Sequence, residues 1–161
     1  MIRALIISAS LTLLAACTGG GISAPSSSGN GMHAPPPATV TTIDVSLLQH
    51  STTNTPYGTS TGYAPPVTTV AVGSMIQFRN SDAFAHTATS IAGAQQFPAA
   101  DPFSNAALNQ AGTTLSGGFS SGALGGGASS QMILADRAGV YLFGCFFHYA
   151  SAGMRAAIVA Q

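Results

Sequence analysis

The sequence predicts an all-β fold, a Greek-key sandwich of two sheets, and three observations lead there. Short runs rich in Val, Ile, Thr and Phe are separated by Gly and Pro turns. No stretch sustains a 3.6-residue apolar period between helix caps. The chain has 161 residues, 46% of them apolar, which suffices for one domain with a core and leaves little for a second.

Taken in chain order, Val40, Ile43, Val45 and Leu47 stand in a Thr-rich stretch suited to a first strand. Pro65 and Pro66 precede a strand from Val67 to Val72, Gly73 and Ser74 mark a turn, and Met75 to Arg79 runs on as the next strand. Gly139 to Cys145 and Arg155 to Val159 supply the last two. Asn105 to Gln110 is the best helix candidate and is short. The interval from Ala92 to Ser130 is rich in Gly, Ser and Ala and carries no pattern that orders it.

The N-terminal region reads differently. Residues 1–16 have the form of an export signal: Arg3 gives a basic start, and the apolar stretch Ala4 to Leu14 is shorter than the ~20 residues a spanning helix needs. Leu14, Ala15, Ala16 and Cys17 resemble a bacterial lipobox. That resemblance implies that Cys17 is lipidated and becomes the mature N-terminus, which would fix the protein to a membrane. Thr18, where an Asp would retain a lipoprotein at the inner membrane, implies the periplasmic face of an outer membrane or the cell surface. An ordinary secretory signal cleaved nearby is the alternative. Residues 17–38, with their Gly, Ser and Pro runs, form a flexible tether with little to bury, and the domain proper is expected over 39–161.

Charge is sparse. Only 5% of residues are charged, there is no Lys or Glu, and the formal net charge is zero. Such a chain has no basic stripe for nucleic acid and a surface nearly insensitive to pH. There are two cysteines, Cys17 and Cys145. With Cys17 consumed by lipid, Cys145 would be a single thiol in an oxidising compartment, where it is either simply buried or occupied by a metal.

The neighbours of Cys145 favour the metal. Cys145, His148 and Met154 follow a C-x2-H-x5-M spacing, and His86 stands some sixty residues upstream. Two imidazoles, a thiolate and a weak thioether form the donor set of a type 1, or blue, copper site. Such a set suits neither Cu(II) nor Cu(I) fully, so little moves on electron transfer. His33 and His50, by contrast, lack a sulfur neighbour and read as solvated bystanders.

The stretch from Val67 to Thr87, in which a strand, a Val-Gly turn, an apolar strand and an Asn-x-Asp loop lead to His86, resembles the plastocyanin-like cupredoxin pattern. Gly139 to Tyr141 followed by Cys145 and His148 is similar to that family's final hairpin, and Phe119 to Leu124 to the loop before it. The resemblance spans Val67 to Ala160, with Ala92 to Thr114 matching poorly. It implies one copper ion, bound by ring nitrogens of His86 and His148, by the Cys145 thiolate and axially by Met154. It further implies that the Thr87 amide hydrogen-bonds the Cys145 sulfur, and that Phe146, Phe147 and Tyr149 form an apolar rim around His148, the electron port. The departures are five residues rather than four between His148 and Met154, Phe147 in place of a Pro, and Gly144 where a Tyr often precedes the cysteine.

The expected function is therefore a monomeric extracytoplasmic carrier of single electrons between redox partner proteins, not an enzyme. A copper-delivery lipoprotein using the same donors is the alternative, although the Met-rich or His-rich tract that would favour it is missing from the sequence. Four histidines are too few for a multicopper oxidase. Gly118 to Gly122 matches the G-x-S-x-G elbow of α/β-hydrolases around Ser120, with Asp136 and His148 following in order, but it lies in a Gly/Ser-rich stretch without the strand and helix the elbow requires.

Overall fold

The computed structural model describes residues 40–161. The signal, tether and Cys17 expected from the sequence lie outside the described residues, as does His33. In chain order the strands are β1 (Val40–Val45), β2 (Thr53–Thr55), β3 (Gly58–Ser60), β4 (Tyr63–Ala64), β5 (Val67–Val70), β6 (Met75–Asn80) and β7 (Thr89–Ile91), then β8 (Gln110–Ala111), β9 (Ser120–Ser121), β10 (Ile133–Leu134), β11 (Gly139–Gly144) and β12 (Arg155–Ala160). One turn of 3-10 helix covers Asn105–Leu108, inside the expected helix candidate, and a single α-helical turn, α1, covers Tyr149–Ala152. No helix among the described residues is long and apolar enough to cross a membrane.

Two sheets carry the fold. The first has the order β10-β6-β1-β4 and the second β5-β12-β11-β7-β9-β8, while β2 and β3 form a separate hairpin. In the first, β1 and β6 run parallel from Val40 opposite Met75 to Val45 opposite Asn80. In the second, β5 runs parallel to β12, and β11 pairs antiparallel with β12 from Gly139 opposite Ala160 to Gly144 opposite Arg155. The fold is thus an all-β sandwich.

Side-chain alternation decides what each strand buries. Ile43 and Val45 of β1, Ile76 and Phe78 of β6, Phe143 of β11, and Ala156, Ile158 and Ala160 of β12 meet in one core between the sheets. Phe78 and Phe143 lie 5.2 Å apart by ring centroid, one from each sheet. The same alternation carries Cys145, two residues past Phe143, into this core. Leu142 and Ala157 point to the other face, where Ile91, Phe97 and Tyr149 cover them. The unpatterned interval 92–130 places Leu115, Phe119 and Leu124 in the core and is held by polar contacts as well. Ser121 Oγ accepts from the Ala88 amide at 2.8 Å, and Ser130 Oγ from the Phe78 amide at 3.0 Å.

Gly144, on that outer face, answers for the absent Tyr at its position. A Cβ built on it would lie 2.5 Å from Cδ2 of Tyr149, whose ring lies over the strand and is fully buried. Substituting Gly144→Ala should therefore overpack the hairpin and cost about 1–3 kcal/mol of stability, read as a lowered denaturation midpoint at unchanged m-value.

Candidate metal centre

Three segments converge at one end of the sandwich: the loop leaving β6, the turn between β11 and β12, and the stretch around Leu124. The loop leaving β6 is shaped by Asn80, a fully buried residue at the end of its strand. Its two Nδ2 hydrogens serve the carbonyls of Phe84, Leu124 and Gly125 at 2.8, 2.9 and 3.1 Å, one of them shared, while its Oδ1 accepts from the Asp82 amide at 2.9 Å. His86 follows and pairs with Leu124 by reciprocal backbone bonds, His86 N to Leu124 O at 3.1 Å and Leu124 N to His86 O at 2.7 Å.

The turn between β11 and β12 is closed from inside. The Cys145 amide donates to Met154 O at 3.1 Å, and the amides of His148 and Tyr149 both donate to Cys145 O. Helix α1 begins at Tyr149 with His148 as its N-cap residue and ends on Gly153 in the left-handed region. These bonds fix the backbone that carries Cys145 and His148.

His86, Cys145 and His148 come together with their donor atoms all within 4.8 Å of one another. Cys145 Sγ lies 3.7 Å from His86 Nδ1 and 3.5 Å from His148 Nδ1. Donors 2.0 and 2.3 Å from a shared ion at 120° would be about 3.7 Å apart. The spacing accordingly fits one small ion held by two nitrogens and a sulfur. This soft and borderline donor set fits copper. Met154 is fully buried in the same core cluster as Cys145. Its side chain reaches toward Gly62, where a Cβ would lie 2.7 Å from the Met154 Cγ, so glycine at φ +75° makes its room.

Partners around the donors set their chemistry. The Thr87 amide donates to Cys145 Sγ at 3.3 Å, and Thr87 Oγ1 accepts from the Phe146 amide at 2.8 Å. Burial pushes the Cys145 thiol above its ordinary value, against the opposing pull of the Thr87, Phe147 and His148 amides. Burial also holds His148 below the usual imidazole value, with His86 adding to the effect. His86 Nε2 lies 2.8 Å from Asp82 Oδ2, both side chains without solvent exposure. Burial works to raise Asp82, but hydrogen bonds from Ser46, His86 and the Leu47 amide outweigh it and hold the carboxyl below its usual range.

The rim differs from the expectation in one member. His148 is half-buried, with Phe147 exposed beside it at 6.2 Å between ring centroids and Phe146 next to Phe147. Tyr149 is instead fully buried, so it cannot be part of a rim. The helical turn that starts there swings its ring inward, where the hydroxyl donates to Pro98 O at 2.7 Å and the Arg155 guanidinium stacks at 4.2 Å. Its place is taken by Phe84, exposed, 4.9 Å from the His86 ring and 5.8 Å from that of His148.

Sequence reasoning missed Phe84, Ser46 and the pairing of Asp82 with His86. Two signals existed: Asp82 is one of only four acidic residues, and it stands four residues before a histidine. His50, read as a bystander, contacts Asp44 Oδ2 through Nε2 at 2.6 Å. Ser120 of the hydrolase-like motif lies buried on β9 with its Oγ donating to Ala107 O, and no strand-to-helix elbow forms there.

Two facing sheets, with donors on the loop after β6 and on the turn between the last two strands, make this an all-β sandwich with a His-Cys-His cluster at one end. No protein-family model matches the sequence, and no curated protein is similar to it. Among solved structures, a purple cupredoxin from Nitrosopumilus maritimus is similar at a TM-score of 0.46 and 16% identity, over 75% of this chain and 99% of that one. A mutant amicyanin in its Cu(I) form is similar at 0.47 and 15%, over 76% of this chain and 82% of that one. A reduced amicyanin mutant gives 0.43 and 18%, over 80% and 87%. Likenesses at this level decide neither family nor function.

The shifts predict an acid response of the metal-free protein. His148 and Asp82 are both held below their ordinary values, so the unfolded chain binds more protons than the folded one as pH falls. The contribution of His148 is whole above its unfolded value of about 6.5 and that of Asp82 above about 3.9. Each is lost as pH falls through the lower folded value. Urea denaturation of metal-free protein from pH 8 to pH 3 should show stability declining in two stages, although the surface has almost no charge to titrate.

Proposed function

We propose that the chain is an extracytoplasmic carrier of single electrons that holds one type 1 copper ion through His86, Cys145 and His148, with Met154 as the fourth, axial donor. The observation that carries this reading is the triad itself, one sulfur 3.5–3.7 Å from two Nδ1 atoms on backbone held by its own hydrogen bonds. Copper bound there supplies the one-electron redox couple.

The protein's part is geometric and dielectric. The Cys145 sulfur sits among apolar side chains with the Thr87 amide directed at it, an arrangement that tunes a bound metal's potential. His86 and Cys145 are wholly enclosed and His148 is half-buried. An electron would then enter or leave by the His148 edge, between the exposed rings of Phe84 and Phe147. A rim of this kind favours a redox partner with an apolar docking face over one drawn by charge. With Cys17 lipidated and residues 17–38 as a tether, the domain would work close to a membrane surface, on the periplasmic face of an outer membrane or at the cell surface.

Optical and EPR spectra of the purified protein after adding Cu(II) provide the test. Intense absorption near ~600 nm with a narrow copper hyperfine splitting is expected of a thiolate-copper site in a His2Cys set. Cys145→Ala should abolish both. A colourless protein that holds only Cu(I) would replace this reading with copper delivery.

Met154→Leu should keep the colour and raise the reduction potential, because the axial donor tunes it. Unchanged spectrum and unchanged potential would remove Met154 from the donor set.

A further inference from the structure

We infer that Asp82 is a positioning residue for the metal centre: its buried carboxylate fixes His86 in the Nε2–H tautomer, leaving Nδ1 free to bind, and its charge favours the more positive state of the bound ion. The inference rests on the reading of the triad as a copper site.

The geometry assigns each oxygen of the carboxylate. Asp82 Oδ2 accepts from the Leu47 amide at 2.7 Å and lies 2.8 Å from His86 Nε2. Asp82 Oδ1 accepts from Ser46 Oγ, itself buried. An ionised carboxylate only accepts, so the hydrogen on His86 belongs on Nε2, and the Nδ1 lone pair faces Cys145 Sγ. Among the described residues, His86 is the only ion-pair partner of Asp82, and no Lys or Arg pairs with it within 4.0 Å. In a chain with four acidic residues, one is thus held out of water with its charge facing a ligand. A buried charge without a cation is expensive to keep. A positive ion beyond the imidazole would supply the missing counter-charge.

Asp82 is held rigidly. The end of β1 and the loop after β6 exchange two serine–aspartate bonds, Ser46 Oγ to Asp82 and Ser81 Oγ to Asp44 at 2.7 Å. The Asp82 amide is fixed by Asn80 Oδ1. A residue serving stability alone would not need its carboxylate aimed at a histidine whose other nitrogen faces the thiol.

Two substitutions separate the parts. In Asp82→Asn, the amide oxygen can take the bonds from Leu47 and His86 while Nδ2 faces Ser46 Oγ, so the tautomer should persist and only the charge is lost. Asp82→Ala removes both. The 15N shifts of the His86 ring in the metal-free full-length protein should report one Nε2–H tautomer in the wild type and in Asp82→Asn, and mixed tautomers in Asp82→Ala. After copper loading, Asp82→Asn should weaken Cu(II) about tenfold more than Cu(I), within the 10–100-fold range typical for partners of ligands. That is a rise in potential of about 59 mV for one electron. A single Nε2–H tautomer persisting in Asp82→Ala, or a potential unchanged in Asp82→Asn, would overturn the inference. If Asp82→Ala does not fold, Asp82→Ser, whose shorter side chain stops short of His86 Nε2, should show the mixed tautomers in its place. Failure of the wild type to form a thiolate-copper site would overturn the electron-carrier reading, while the metal-free spectra would still decide whether Asp82 positions His86.

Discussion

The arrangement of this domain hinges on a two-way contact between Thr87 and the turn that follows β11. The Thr87 amide donates to Cys145 Sγ, and the next amide along the turn, that of Phe146, donates to Thr87 Oγ1. One residue thereby reads both the side chain of Cys145 and the backbone beside it, across a sequence gap of 58 residues. Without it, the loop from β6 and the turn from β11 would be related only through the ladder that starts beyond them, where Thr89 of β7 lies opposite Gly144 of β11, and through the packing of the two sheets. Tyr63 reinforces the same point from the first sheet, donating its buried hydroxyl to Thr87 O at 2.7 Å. The donor atoms thus inherit their spacing from strand register, and little reorganisation is left for a bound ion to impose.

The same economy of charge that makes the surface bland forces the interior to be satisfied by hydroxyls and amides. Buried Ser60, Ser120, Ser121 and Ser130 each bind backbone rather than a charged partner, and Ser46 alone of the buried serines binds a carboxylate, that of Asp82. Neutral hydrogen bonds of this kind contribute about 1 kcal/mol each but cost more when left unmade. They therefore act as constraints on register more than as sources of stability. Against that background Asp82 stands out, because a carboxylate was placed where a serine or asparagine could have filled the space.

Legibility in the sequence followed the physics of each segment. The strands β1, β5 and β6 announced themselves by burying alternate side chains, and β11 and β12 as apolar runs covered on both faces. The donor triad was legible for a related reason: imidazole nitrogens and a thiolate come only from His and Cys, and the sequence has few of either. What failed to show was whatever depends on geometry rather than composition. The short strands β8 and β9 pair through Gly/Ser-rich backbone, with no apolar alternation to betray them. Tyr149 and Phe84 look equally fit for a rim. Only the helical turn beginning at Tyr149 and the space vacated at Gly144 send one ring inward and leave the other at the surface.

That exchange bears on how an electron would pass. A tyrosine on the residue before Cys145 would stand on the outer face of β11, attached to the ligand through the chain. Here the ring over that face belongs to Tyr149, attached instead through His148, and packed edge-on against Phe103 at 5.5 Å. The aromatic wall of the second sheet is thus rooted on the half-buried histidine and not on the thiolate strand. On the electron-carrier reading, His148 becomes the junction of both aromatic groups: Phe84 and Phe147 outward to the rim, Tyr149 and Phe103 along the sheet. Cys145 is left to bind and to set the potential, enclosed by Phe143, Met154 and the other apolar residues of its core.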